Sequence, residues 1–222
     1  MLTLVAILVV VAASLSTPAA ADGLDDYIRA ELARRRIPGL ALAVLRHGQS
    51  PMLRAYGLAS VELSVPVTPE TVFELASLTK PVTATAIMML VGDGKLALDD
   101  PIAKHISQAP RAWAAITVRH LLTHTSGIAP PLSFGSLYAS KQPLLIDYTS
   151  RQLFEAATRD VVAFAPGERH VYRDTNYFLL GMVIARISGE RYADFLARRI
   201  FQPLGMTSTS FADAWQVVPK RP

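Results

Sequence analysis

With 222 residues, 51% of them hydrophobic and 18% charged, the chain is long enough for one domain or a compact pair of subdomains. That composition excludes a disordered acidic tail, a collagen-like repeat and a disulfide-stapled miniprotein, and the absence of cysteine excludes thiolate metal sites and a cysteine nucleophile. The 22 Lys and Arg outnumber 18 Asp and Glu to give a net charge of +4, but the densest basic runs, Arg34-Arg35-Arg36 and Arg198-Arg199, end helical patterns where cations suit the helix dipole, so nucleic acid is not an expected partner.

Residues 1–21 carry no charged side chain. A short apolar run from Leu4 to Ala13 precedes a polar break and the small residues Ala19-Ala20-Ala21, which is the layout of a cleavable signal peptide; the core is too short for a spanning helix. Export to the periplasm or the extracellular space is therefore expected, with no stable membrane span once the leader is cleaved and an uncleaved anchor as the alternative. This segment also accounts for part of a mean hydropathy of +0.30.

After Asp22, Leu24, Tyr27, Ile28 and Leu32 fall at helical spacing, and Ile37-Pro38-Gly39 stops the helix. Two β-like runs, Leu40 to Arg46 and Pro51 to Gly57, are joined by His47-Gly48-Gln49-Ser50 and read as a hairpin. Leu58 to Glu70 reads as loop, with Pro66 and Pro69 as breaks. Val82 to Val91 is apolar almost all round, as a core helix is, and Gly92-Asp93-Gly94 ends it. Ile116 to His124 reads as a short helix capped by Thr117. Helical stretches follow at Arg151 to Ala157, Tyr177 to Ser188 with Gly189 as its stop, and Tyr192 to Phe201. A lone hairpin is marginal in water, and no later run offers it a convincing partner strand.

The chemistry concentrates just before the apolar helix, in Glu74-Leu75-Ala76-Ser77-Leu78-Thr79-Lys80. Ser77 and Lys80 are three apart, so on a helix they share a face one turn from each other. An amine is thereby set beside a hydroxyl, which is what activating a serine requires, and a helix N-terminus directs N–H groups toward developing negative charge. Pro81 fits a helix that begins close to Ser77. His120 and His124, four apart, suggest zinc, but Leu121 stands where a metalloprotease helix carries glutamate and no acidic third ligand lies nearby. No metal or other cofactor is expected. No Gly-x-Ser-x-Gly elbow is present either.

The order of the motifs adds a resemblance. Ile37-Pro38-Gly39-Leu40-Ala41, Ser77-Leu78-Thr79-Lys80-Pro81, Gly94-Lys95-Leu96-Ala97-Leu98-Asp99-Asp100-Pro101 and the block from Ile116 to Gly127 are followed by Pro166-Gly167-Glu168, the block from Tyr172 to Gly181, and Pro203-Leu204-Gly205-Met206. From about Ile37 onward the chain resembles the serine beta-lactamase-related family of class C beta-lactamases, D-alanyl-D-alanine carboxypeptidases and esterases. The resemblance implies an α+β, beta-lactamase/transpeptidase-like fold, with a helical subdomain beside an antiparallel sheet. It implies Ser77 as nucleophile with Lys80, and it makes His120 and His124 part of a structural helix and turn. Tyr172 takes the tyrosine position of the family's Tyr-x-Asn motif; a nearby lysine ammonium favours a phenolate, so Tyr172 is a candidate general base, with the choice between it and Lys80 left open. Asp174 stands where the family usually has asparagine. An amide can donate to a substrate carbonyl whereas a carboxylate only accepts, so Asp174 is expected to weaken amide recognition, or to pair with Lys80 and hold it charged.

The family's third motif, Lys/His-Thr/Ser-Gly on a late strand, finds no suitable counterpart, since His124-Thr125-Ser126-Gly127 belongs to the earlier helix-and-turn block. Residues 22–222 are accordingly expected to be the N-terminal part of a serine hydrolase domain, with the C-terminal strands of the sheet missing and activity impaired. The expected substrates are beta-lactam, D-alanyl peptide or ester, and Ala129 to Phe164, with Tyr138 and Tyr148, is the segment expected to line the cleft. The alternative from another class is a non-catalytic fragment that binds cell-wall peptide or a protein partner along an exposed sheet edge.

Overall fold

The computed structural model describes residues 23–129, 149–159, 162–212 and 217–221. The leader read at residues 1–21 and the cleft tyrosines Tyr138 and Tyr148 lie outside the described residues. The chain divides into two compact units, residues 1–71 with Pro222, and residues 72–221.

In the first unit, helix α1 (Gly23–Arg35) carries Asp25 and Asp26 in its first turn and Arg34 and Arg35 in its last, the arrangement that complements the helix dipole. Glu31 accepts hydrogen bonds from both arginines. The hairpin forms as expected: β1 (Gly39–Val44) pairs antiparallel with β2 (Met52–Ser60), in a register running from Gly39 opposite Gly57 to Val44 opposite Met52. Gly57 has φ +68°, and a Cβ there would lie 2.1 Å from the Pro38 carbonyl oxygen, so only glycine fits. The loop reading of Leu58 to Glu70 is corrected. β2 continues through Ser60, and a two-residue strand β3 (Val65–Pro66) pairs with it across an irregular register. β3 is an edge strand of the three-stranded sheet, where a proline's missing N–H is tolerated.

The second unit holds the hydrophobic core. Helices α2 (Thr79–Gly92), α3 (Val118–Leu122), α4 (Ser150–Arg159), α5 (Asp174–Ser188) and α6 (Tyr192–Leu196) supply most of it, and α6 runs on through a wide turn at Ala197–Phe201. Ile87, Leu90, Trp113, Leu121, Leu179, Ile184 and Phe195 are fully buried, and Trp113 meets Phe154 edge to face at 6.1 Å. Helix α2 is less enclosed than its composition implies: Ala86, Ile87 and Leu90 face inward while Met88 is half exposed. Thr117 caps α3 as expected, and its partner is unusual. Thr117 Oγ1 accepts from the His120 N–H while His120 Nδ1 accepts from the Thr117 N–H, so a histidine serves where a capping box normally uses glutamate or glutamine.

Helix α5 begins at Asp174, three residues before the start marked by the apolar spacing. Its first turn buries Thr175 and Asn176, polar residues that hydrophobic periodicity cannot register. Gly189 ends it in the left-handed conformation, at φ +71°. Gly127, φ +76°, ends the turn after α3, and a Cβ there would sit 2.1 Å from the Phe164 carbonyl oxygen.

Candidate active site

Ser77 lies in a 3-10 turn, Ala76–Leu78, that runs directly into α2, and Lys80 is the second residue of that helix. The one-turn spacing therefore brings the two side chains together: Lys80 Nζ donates to Ser77 Oγ at 3.2 Å. From the other side, extended backbone at Arg173 leads Tyr172 and Asp174 into the N-terminus of α5. The Tyr172 hydroxyl stands 2.9 Å from Ser77 Oγ, and Lys80 Nζ donates to Asp174 Oδ1 at 2.5 Å. All four residues singled out from the sequence thus meet in one place, and the carboxylate position is occupied as an ion pair with the lysine.

The electrostatics of this cluster favour a charged lysine. Burial opposes the ammonium of Lys80, but its interactions with Asp174 and Tyr172 outweigh that cost and raise its pKa above the ordinary lysine value. The ammonium also lies 4.8 Å from the centre of the Tyr172 ring and 5.9 Å from that of Tyr177, where the π-faces add attraction. Held in this way, Lys80 is a hydrogen-bond donor to Ser77 rather than a free base. The Tyr172 hydroxyl is the other side-chain group within hydrogen-bond distance of Ser77 Oγ among the described residues.

The chain matches the Beta-lactamase family over residues 24–220. It belongs to that family. It is 32% identical over 192 residues to Protein flp of Staphylococcus aureus (strain NCTC 8325 / PS 47), covering 85% of this chain and 38% of that protein. To Esterase EstB of Burkholderia gladioli it is 34% identical over 212 residues, covering 90% of this chain and 54% of the esterase. The crystal structure of D-amino acid amidase from Ochrobactrum anthropi SV3 complexed with L-phenylalanine superposes with a TM-score of 0.71 at 31% identity, over 85% of this chain and 51% of that one. The fold is therefore beta-lactamase/transpeptidase-like and of the α+β class, and the related proteins include an esterase and an amidase. The chain spans 38% of the staphylococcal relative and about half of the esterase and amidase.

Around this beta-lactamase-type cluster lies a second layer that sequence reasoning did not assign. His124 is nine-tenths buried, and its Nδ1 lies 3.2 Å from the Arg173 N–H and 3.1 Å from Asn176 Nδ2. Asn176 is completely buried; its Oδ1 accepts from Ser126 Oγ at 2.6 Å, and Ser126 Oγ accepts from the Ile128 N–H. The Tyr177 hydroxyl donates to the Leu122 carbonyl. One signal for this layer was present in the sequence: Asn176 is a polar residue on the same helical stripe as Leu179, Leu180 and Val183. His120 and His124, whose spacing suggests a zinc pair, each use Nδ1 to accept a backbone N–H.

Proposed function

We propose that this beta-lactamase family member is a serine hydrolase that forms an acyl-Ser77 intermediate, with Tyr172 as general base and Lys80 as a permanently charged donor. The observation that carries the reading is the position of Ser77 Oγ, 2.9 Å from the Tyr172 hydroxyl and 3.2 Å from Lys80 Nζ. In the first step Tyr172, as phenolate beside the Lys80 ammonium, takes the Ser77 proton while Oγ attacks the acyl carbonyl carbon. Collapse of the tetrahedral intermediate expels the leaving group, which receives the proton from Tyr172. Water then enters by the same route in reverse: it gives a proton to Tyr172 as its oxygen adds to the acyl carbon, and when the bond to Oγ breaks to release the acid, Tyr172 returns that proton to Ser77 Oγ. Lys80 stays an ammonium throughout and stabilises negative charge on Ser77 and on the phenolate.

Asp174 supports ester substrates over amides. Its carboxylate is engaged with Lys80 and has no proton to donate to a substrate amide carbonyl, as an asparagine would. Small esters are therefore the proposed substrate class, ahead of lactams and D-alanyl peptides. The apolar layout of residues 1–21 supports export.

The decisive experiment is covalent labelling. The wild-type protein should take up a fluorophosphonate probe at Ser77, identified by peptide mass, and Ser77→Ala should take up none. A well-folded wild-type protein that remains unlabelled by both a fluorophosphonate and a fluorescent penicillin would overturn the reading in favour of a binding role for this chain.

A further inference from the structure

Tyr172 is nearly half exposed, 46% of its surface facing solvent, yet its hydroxyl must be held over Ser77. One residue grips it from three directions. The His124 carbonyl accepts from the Val171 N–H at 2.9 Å, and His124 Nδ1 accepts from the Arg173 N–H at 3.2 Å, so the amides on both sides of Tyr172 end on His124. The imidazole ring lies 4.6 Å from the Tyr172 ring at an interplanar angle of 37°, and 5.1 Å from the Tyr177 ring at 38°.

The protonation state of this ring follows from its partners. A backbone N–H such as that of Arg173 can only donate, so Nδ1 must present its lone pair and the ring proton sits on Nε2. Asn176 is then oriented with Nδ2 toward His124 and Oδ1 toward the Ser126 hydroxyl, which satisfies each buried polar atom along the chain from Ile128 to Arg173. A neutral, correctly oriented imidazole is thereby built in from the backbone outward.

The conformation of His124 points the same way. Its φ is +56°, in the left-handed region that glycine or asparagine occupies with less strain. A histidine kept there, where a turn alone would be better served by glycine, is a strained residue beside a reacting group. We propose that His124 is a positioning residue, which fixes the Tyr172 hydroxyl over Ser77 through the ring stack and the two flanking backbone hydrogen bonds. The proposal rests on the reading of Tyr172 as the base.

The test uses His124→Phe, which keeps an aromatic ring without the acceptor, and His124→Asn, which keeps an acceptor, tolerates the left-handed backbone and lacks the ring. Each is made in the wild-type and the Tyr172→Phe backgrounds. The rate of Ser77 labelling by a fluorophosphonate is measured together with hydrogen exchange at the Val171 and Arg173 amides. H124F should lose protection at Arg173 and label about 10²-fold more slowly, the scale set by misplacing a catalytic group. H124N should keep the Arg173 protection and fall between H124F and wild type, and it carries the test if H124F does not fold. In the Y172F background neither substitution should slow labelling further. An equal slowing in that background overturns the proposal, because His124 would then act on the fold rather than through Tyr172, and so does full Arg173 protection in H124F. If wild-type Ser77 takes no label, it is the hydrolase reading that fails. Exchange then decides alone: protection of the Arg173 amide that depends on the His124 side chain supports the positioning role, and protection independent of it overturns it, while the Val171 amide, bonded to the His124 backbone carbonyl, serves as the internal control.

Discussion

Lys80 and Asp174 form an ion pair at 2.5 Å between side chains set on the first turns of two different helices. The pair explains how a substitution at the Tyr-x-Asn position can coexist with an assembled Ser–Lys–Tyr cluster. Asparagine at this position would donate to substrate, whereas aspartate is engaged with the lysine. Asp174→Asn should therefore raise turnover of amide substrates relative to esters, by about tenfold for a gain of about 1.4 kcal/mol in transition-state binding. The comparison is of kcat/KM for a matched anilide and phenyl ester. An unchanged ratio would remove Asp174 from substrate selection.

His124 makes stability depend on pH in a defined direction. Burial, followed by the charges of His170 and Lys80, holds its pKa below the ordinary histidine value, and Asp174 opposes the shift in part. Tyr172 and Tyr177 complete the ionisable groups packed on the ring. Well above pH 6.5 neither the folded nor the unfolded state binds a proton at this site, so its stability contribution is fully present there. As pH falls below 6.5 the unfolded chain takes up a proton that the folded state refuses, and stability declines toward the folded pKa, at no more than about 1.4 kcal/mol per pH unit. Urea midpoints at pH 7.5 and 5.5 should differ more for the wild type than for His124→Asn, which cannot titrate. Asp100, held down to about 2 by its bonds to Lys104, Ala97 and His105, titrates well below that window.

How far the site could be read in advance depended on how local its contacts are. Ser77 and Lys80 are one helical turn apart, so their meeting follows from helix geometry alone. Tyr172 lies 95 residues from Ser77 and Asp174 lies 94 from Lys80, and no local rule joins them; the order of family motifs was the only guide. His124 escaped because its role depends on a left-handed backbone, a tautomer and a stack of rings, none of which leaves a periodic trace. The same contrast runs through the fold. Thr117 and Gly189 announce helix ends by residue type, whereas β3 is two residues long and contains a proline, so neither alternation nor composition marks it.

Ala76, immediately before Ser77, is also left-handed, at φ +44°. For a residue with a Cβ this conformation costs about 1–2 kcal/mol, a strain that glycine avoids. Glycine adds freedom to the unfolded chain, which removes part of the gain. Ala76→Gly should accordingly stabilise the protein by about 0.5–1 kcal/mol, read as a rise in the urea midpoint at unchanged slope. A lower midpoint would show that the backbone at Ala76 is not strained.

Thr83 sits one turn beyond Lys80 and is buried; its hydroxyl donates to the Thr79 carbonyl at 3.1 Å and lies 2.7 Å from the Tyr192 hydroxyl. The contact ties α2, which carries Lys80, to α6. Thr83→Val preserves shape but leaves the Tyr192 hydroxyl in apolar surroundings without its partner, which should cost about 1–3 kcal/mol. Tyr192→Phe removes the opposite hydroxyl, and Thr83 keeps its bond to the Thr79 carbonyl, so the loss should be smaller. With both hydroxyls gone no buried polar group is stranded, so the double variant should recover most of the loss seen in Thr83→Val. A double-mutant cycle on urea unfolding would show this as a strongly non-additive pair, and simple additivity would mean that the two hydroxyls do not support one another.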